Sequence, residues 1–258
     1  MRVKKYKSIK NERIGEIVLN YQEKEMVIIE YNNNKDITIQ FILTKEIVKT
    51  AYKEFRRGKI KSHLSPTVFE IGVTGIAPIV DENCKQLKSY TCWCNMLKRC
   101  YSDKYQEKHP TYIGCIVSED FKIYGNFKKF YDKNYYEILE LGRTDLDKDI
   151  LHKYNKIYSE DNCVFAPQAI NKLFVKKQNS RGDFPIGVVL HGKSYQSICH
   201  NRSGIRQHLG TFTTPKLAFN AYKEFKESLI KQTAEKYKSQ LPIKLYEALM
   251  NYTVEITD

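Results

Sequence analysis

The segment TAYKEFRRGKI at residues 50–60 recurs near the other end of the chain as NAYKEFKESLI at residues 220–230. A solenoid needs several stacked units to bury a continuous core, so a single repetition points to two similar modules, each a β-rich run followed by a helix. With 258 residues there is room for one large domain or two to three small ones. The 41% hydrophobic and 12% aromatic residues supply real cores and exclude wholesale disorder.

Charge divides the chain further. Residues 1–66 carry 15 Lys+Arg against 8 Asp+Glu, residues 67–175 carry 15 of each, and residues 176–258 carry 13 against 7. The net +13 therefore sits as +7 and +6 on either side of a neutral middle. A polyanion-binding protein that also needs carboxylates for metal or acid–base work has this layout, because carboxylates within a phosphate-binding patch weaken it. A lysine-rich solvated surface has it too. No run approaches the roughly eighteen apolar residues of a membrane span, and no apolar stretch of signal-peptide type follows the basic start. The expectation is a cytoplasmic protein with reduced cysteines and no membrane partner.

Turn residues and periodicity place the elements. Ile14 to Leu19, MVIIEY (26–31) and DITIQF (36–41) read as strands, with Asn32–Asn34 as the turn between the last two, and a short helix is predicted over 45–57. Ser65–Pro66, Gly72, Gly75 and Pro78 mark a boundary. Trp93, Met96, Leu97 and Cys100 make one apolar stripe on a helix over 90–101, and Phe127, Phe130 and Tyr131 make another over 123–132. Residues 141–174 read as strand, loop, strand and short helix, and the polar KKQNSRGD (176–183) reads as a linker. PIGVVL, SYQSICHN and RQHLGTF then predict three short strands ahead of a helix that Thr214 caps and Pro215 opens. A further helix follows a break at Pro242. The fold class expected is α+β in three small modules: a basic β-rich module (1–66), a central one (67–175), and a sheet-plus-helix module with a helical tail (176–258).

Gly187–Val188, Tyr195, Leu209–Gly210–Thr211–Phe212, Ala218 and Ala221–Tyr222 make residues 187–225 resemble the plant ethylene-response-factor type of DNA-binding domain, which also occurs in phage proteins and homing endonucleases. The resemblance implies a three-stranded antiparallel sheet lying in the major groove with the helix packed behind it. Alternation along the second strand independently puts Tyr195, Ser197 and Cys199 on one face and Gln196, Ile198 and His200 on the other. Lys193, Gln196, His200, Arg202, Arg206 and His208 are the candidates for the groove-facing set. Arg206 and Gln196 suit guanine and adenine edges, while Lys193 and Arg202 suit phosphates. The first strand, Val189–Leu190–His191, departs from the arginine-rich strand of that type, so its base preference does not transfer.

In the middle, Trp93, Met96 and Arg99–Cys100–Tyr101, followed by Leu146–Asp147–Lys148–Asp149, Tyr158–Ser159 and Asn162–Cys163, resemble phage-encoded HNH-type homing endonucleases over about eighty residues. The resemblance implies a ββα site holding Mg²⁺ or another divalent cation against a scissile phosphate, with a base to activate water. Asp147 and Asp149 are read as alternating on a strand, so that both point to the same side and could share the cation. Asn162 and Asn171 are candidates to supply the amide ligand or to orient the site, and His152 is the nearest imidazole, the histidine pair that names the motif being missing. Asp147 and Asp149 paired with neighbouring lysines is the structural alternative. Cys92, Cys94, Cys100 and Cys115 with His109 lack C-x₂-C spacing and read as buried thiols rather than zinc ligands.

The N-terminal Gly15, Ile17, Ile29, Tyr31, Ile37, Gln40, Phe41, Phe55, Gly58 and Ile60 resemble a β-rich segment of the same phage proteins, and Arg56, Arg57 and Lys59 are its candidate phosphate contacts. Two functions follow as expectations for a protein acting in a bacterial host's cytoplasm. One is a magnesium-dependent endonuclease cutting or nicking double-stranded DNA, with Asp147 and Asp149 on the metal and His152 or an asparagine-oriented water assisting. The other is a binding protein without catalysis, a regulator or anti-defence factor. Charge alone does not separate DNA from RNA.

Overall fold

The computed structural model describes residues 12–175, 184–201 and 204–256, and shows an α+β fold built on several small sheets. No helix among the described residues is long and apolar enough to cross a membrane. The chain divides into two compact units, the first holding the residues up to Ser102 together with Lys122–Lys128, the second Asp103–Phe121 and everything from Lys129 on.

The first unit opens with an antiparallel sheet of β1 (Ile17–Leu19), β2 (Glu25–Asn33), β3 (Asp36–Phe41) and β4 (Ile47–Thr50) in sequence order. Period-2 alternation puts Met26, Ile28, Ile37, Ile39 and Phe41 on one face, where they are buried. Phe55 of the short helix α1 (Tyr52–Arg56) and Ile60 close that core. The helix predicted over 45–57 is thus only its second half. Ile47 and Val48 pair with Gln40 and Ile39, because β-branched residues beside an open strand edge gain a ladder that a helix would forfeit. Helix α2 (Lys88–Tyr101) buries the expected stripe of Trp93, Met96, Leu97 and Cys100. Tyr90 and Tyr124 pack their rings against Trp93, and Ser89 Oγ lies 2.9 Å from Tyr124 Oη.

In the second unit, α3 (Asp103–Lys108), β5 (Ile116–Val117), α4 (Glu119–Lys122) and α5 (Tyr124–Asn134) precede β6 (Thr144–Asp147), β7 (Ile157–Tyr158), β8 (Val164–Pro167) and α6 (Gln168–Asn171), α4 and α5 each having residues in both units. β6 and β8 pair antiparallel, and β5 and β7 pair parallel. The linker expected at 176–183 lies outside the described residues. Beyond it stand β9 (Val188–His191), β10 (Ser194–His200) and β11 (Arg206–Phe212), an antiparallel sheet with β10 at its centre. The 22-residue helix α7 (Pro215–Lys236) follows, capped by Thr214 Oγ1, which accepts the Leu217 N–H at 3.3 Å. After Pro242, α8 (Ile243–Met250) packs against it.

Helix α7 belongs to two cores. Its first turns bury Ala218, Phe219 and Tyr222 with Val188 and Cys199 of the sheet. Its later turns bury Leu229, Ile230 and Ala234 with Val164, Ala166 and Ile170 of the β8–α6 segment and Leu245 and Leu249 of α8. Each of the larger aliphatic and phenyl side chains among them contributes roughly 1.5–3 kcal/mol by leaving water, and each alanine methyl less than about 1 kcal/mol. At about 1.5 Å per residue the helix is long enough, near 33 Å, to do both.

Gly187 sets how closely the sheet approaches α7. Its φ is +79°, and a Cβ there would lie 2.0 Å from Cδ2 of Tyr222. Gly187→Ala is therefore expected to cost about 2–4 kcal/mol, strain and clash together. Gly192→Ala, at a turn with φ +61° and nothing within 4 Å, costs only about 1 kcal/mol. Chemical denaturation of both variants checks the difference, and equal losses would show that the Tyr222 contact does not fix the approach.

Candidate nucleic-acid interface

The sheet of β9, β10 and β11 has one face covered by α7 and one face open. Directly opposed residues of an antiparallel pair share a face, so the register sorts the side chains. Ser197 pairs with Val188 and Gly210, Tyr195 with Leu190 and Phe212, and Cys199 with Gln207; these belong to the α7 side. Gln196 pairs with Val189 and Thr211, Ile198 with His208, His200 with Arg206, and Ser194 with His191. These make up the face turned away from α7.

A bulge keeps that face continuous. Ser197 pairs with Gly210 but Ile198 with His208, so Leu209 is an extra residue on β11. Gly210, at φ +140°, relieves the irregularity. Leu209 and Phe212 both pack toward α7, while His208 and Thr211 both stay outside, His208 Nε2 and Thr211 Oγ1 being 3.3 Å apart. The Leu209–Gly210–Thr211–Phe212 motif is a bulge with alternate core and surface duties. Sequence reasoning named His208 and Arg206 but missed Thr211, His191 and Ser194; a glycine inside a strand pattern was the available signal.

His200, Arg206, His208 and Thr211 are exposed, Gln196 is half-buried, and Ile198 is a buried apolar residue among them. Lys193 is exposed on the two-residue Gly192–Lys193 turn joining β9 to β10, where only Gly192 has positive φ, the type II′ pattern. Arg202 lies outside the described residues. Among the described residues the open face thus offers one guanidinium, an amide, imidazoles and hydroxyls, the donor and acceptor types that read base edges, with an ammonium at its margin.

The N-terminal sheet is furnished differently. A row across its open face reads Ile17, Val27, Gln40 and Ile47, with Ile17 and Ile47 exposed. Arg56 is bound to Glu16 at 2.6 Å, and the Tyr52 hydroxyl donates to the same carboxylate. Arg57 and Lys59 are exposed beyond the end of α1. Arg57 and Lys59 stand at the helix end, and the sheet itself carries Lys49, exposed on β4 two residues from Ile47 and on the same face.

In the central segment the expectation for the carboxylates is corrected. β6 ends at Asp147, so Asp147 and Asp149 do not alternate along a strand. Asp147 Oδ1 instead accepts the N–H groups of Asp149 at 2.7 Å and Ile150 at 2.8 Å, closing the turn that follows. Burial pushes its carboxyl above the usual range, while those two bonds and Lys148 pull it down. Asp149 takes the ammonium of the buried Lys148 at 2.6 Å, and Lys148 also donates to the Asn155 carbonyl. Asn162 directs its amide N–H to Asn155 Oδ1 and the Ile157 carbonyl; Asn171 donates to the Ala166 carbonyl, and its Oδ1 is buried with no hydrogen-bond partner. His152 is exposed, and its carbonyl accepts the Asn155 N–H. A divalent cation needs several oxygens free to converge. These carboxylates are directed to backbone and lysine, no group of three or more His, Cys, Asp or Glu among the described residues is placed to hold a metal ion, and the residues do not fit the Mg²⁺ site expected of them. No metal-dependent step is derived through them.

Comparison of the chain with protein-family models, with curated proteins and with solved structures returns no match.

The turn assigns Asp147 a structural task that substitution separates from metal binding. Asp147→Asn keeps Oδ1 as acceptor and removes a poorly solvated charge, so its stability should match or exceed the parent. Asp147→Ala leaves two N–H groups without that acceptor and should lose about 1–2 kcal/mol. Thermal denaturation of the pair checks this, and equal destabilisation by both would contradict the turn's role.

Proposed function

We propose that the chain is a sequence-specific double-stranded DNA-binding protein that reads its site with the open face of β9, β10 and β11. The observation that supports this is the register. It brings Gln196, His200, Arg206, His208 and Thr211 onto one face of a sheet whose other face is held by α7. A two- or three-stranded ribbon fits the major groove, where Arg pairs with guanine and Gln with adenine. The net charge of +13 supplies the sequence-independent attraction, to which Lys193, Arg57 and Lys59 contribute as exposed cations. In this reading the resemblance to phage homing endonucleases reflects a shared way of finding DNA in a bacterial cytoplasm. The engagement of Asp147 and Asp149 with backbone and lysine favours a regulator or anti-defence factor over a nuclease.

Selection from random duplexes followed by anisotropy titrations across a salt series tests the reading. An enriched motif is expected, with log affinity falling linearly against log salt. Arg206→Ala should cost about 1–3 kcal/mol and relax preference at one position, whereas Lys193→Ala should weaken all duplexes alike and reduce the salt slope by about one. No enrichment, a flat salt plot, or tighter binding of single-stranded RNA than of any duplex would overturn it. Plasmid incubated with Mg²⁺ or Mn²⁺ should stay intact, and cleavage abolished by Asp147→Asn would restore the nuclease.

A further inference from the structure

A cavity of about 870 Å³ opens at the end of the C-terminal sheet where β10 runs on past β9, bounded also by α7 and the turn after α6. Its charged lining is basic. Lys226 enters from α7, Lys172 from the turn after α6, and Arg206 and His200 from the paired ends of β11 and β10. Among the described lining residues there is no Asp or Glu. Among the described residues none of Lys172, Arg206 and Lys226 is in an ion pair. The rest of the wall includes apolar groups, Leu173, Ile186 and Ile198.

Cations gathered in one concavity repel each other, and a partly buried ammonium with no counter-ion is costly. Burial lowers the pKa of Lys226 from its ordinary value, against an opposing pull from Cys199, the direction expected of an ammonium short of solvent. A bound anion would relieve both costs. The volume lies within the 300–1,000 Å³ usual for small-molecule sites and far exceeds what a lone phosphate fills. The apolar wall accounts for the remainder.

We propose that this cavity binds a nucleoside phosphate, its phosphate held by Lys172, Lys226 and Arg206 and its nucleoside lying against Leu173, Ile186 and Ile198. The same chemistry is carried by a free nucleotide and by the phosphorylated end of a DNA strand. Because Arg206 and His200 also belong to the open sheet face, ligand and duplex compete for them, and each weakens the other by the same factor. That coupling rests on the DNA-binding reading; the site itself does not.

Calorimetric titration of the full chain with nucleoside 5′-monophosphates, the corresponding nucleosides and inorganic phosphate tests the site. A second arm compares short duplexes bearing 5′-phosphate or 5′-hydroxyl ends. Monophosphates are expected to bind at least tenfold more tightly than either nucleosides or inorganic phosphate. Lys226→Met and Lys172→Met should each weaken them about tenfold or more, as loss of a charged hydrogen bond implies. Lys226→Met should melt no lower than the parent, since it removes a half-buried charge; if it fails to fold, the exposed Lys172→Met decides alone. Binding of the free monophosphate identifies the small ligand, and a 5′-phosphate-dependent gain in duplex affinity that Lys172→Met abolishes identifies the strand end. Neither effect in the parent, or either effect unchanged in both variants, overturns the site. A chain that binds nucleotide but no duplex keeps the site and overturns the DNA reading, whereas one that binds duplex with neither nucleotide binding nor a 5′-phosphate effect keeps the DNA reading and overturns the site.

Discussion

The second unit depends on one helix serving two cores. The first turns of α7 fill the back of the β9–β10–β11 sheet, and its later turns sit among the β8–α6 segment and α8. A small sheet is stable in water only when its apolar face is covered or packs against a helix; here Tyr222, Phe219 and Ala218 supply that layer. The contact is close because Gly187 has no side chain to hold the Tyr222 ring away. The outcome is a sheet fixed on one side and open on the other.

What the free side carries follows from pairing and one irregularity. Antiparallel register makes His200 and Arg206 neighbours and sets Gln196 beside Thr211. The bulge at Leu209 lets β11 send Leu209 and Phe212 inward without turning His208 or Thr211 with them. The N-terminal sheet has the same sequential strand order and the echoed Ala-Tyr-Lys-Glu-Phe helix, yet its open face presents Ile17, Val27 and Ile47 beside Gln40 and Lys49, with no arginine or histidine among its strands. Shared architecture therefore does not imply a shared partner, and the phosphate-binding assignment belongs with side chains rather than with the repeat.

Much of this was legible in the residues. The Trp93–Cys100 stripe, the three C-terminal strands, the Thr214–Pro215 helix start and the two faces of β10 rest on local periodicity and capping, which survive folding. The misreadings came from choices that local patterns do not decide. Residues 47–50 joined a sheet because an open β3 edge was available, which only tertiary pairing reveals. Asp147 reads as a strand carboxylate with a second ligand two residues on, but an aspartate at a strand end commonly takes the nearest backbone N–H groups, and here it takes two. The cluster of Lys172, His200, Arg206 and Lys226 was invisible because its members come from separate elements.

In the proposed function, one face of the C-terminal sheet meets DNA. Backbone and side-chain NMR shifts of the full chain, followed while a selected duplex is added, test it most directly. The account predicts the largest changes at Gln196, His200, Arg206, His208 and Thr211, with Tyr222 and Phe219 behind the sheet nearly unmoved. Changes centred on the Ile17–Ile47 face of the N-terminal sheet, or on the turn around Asp147, with the β10 and β11 signals unchanged, would contradict it.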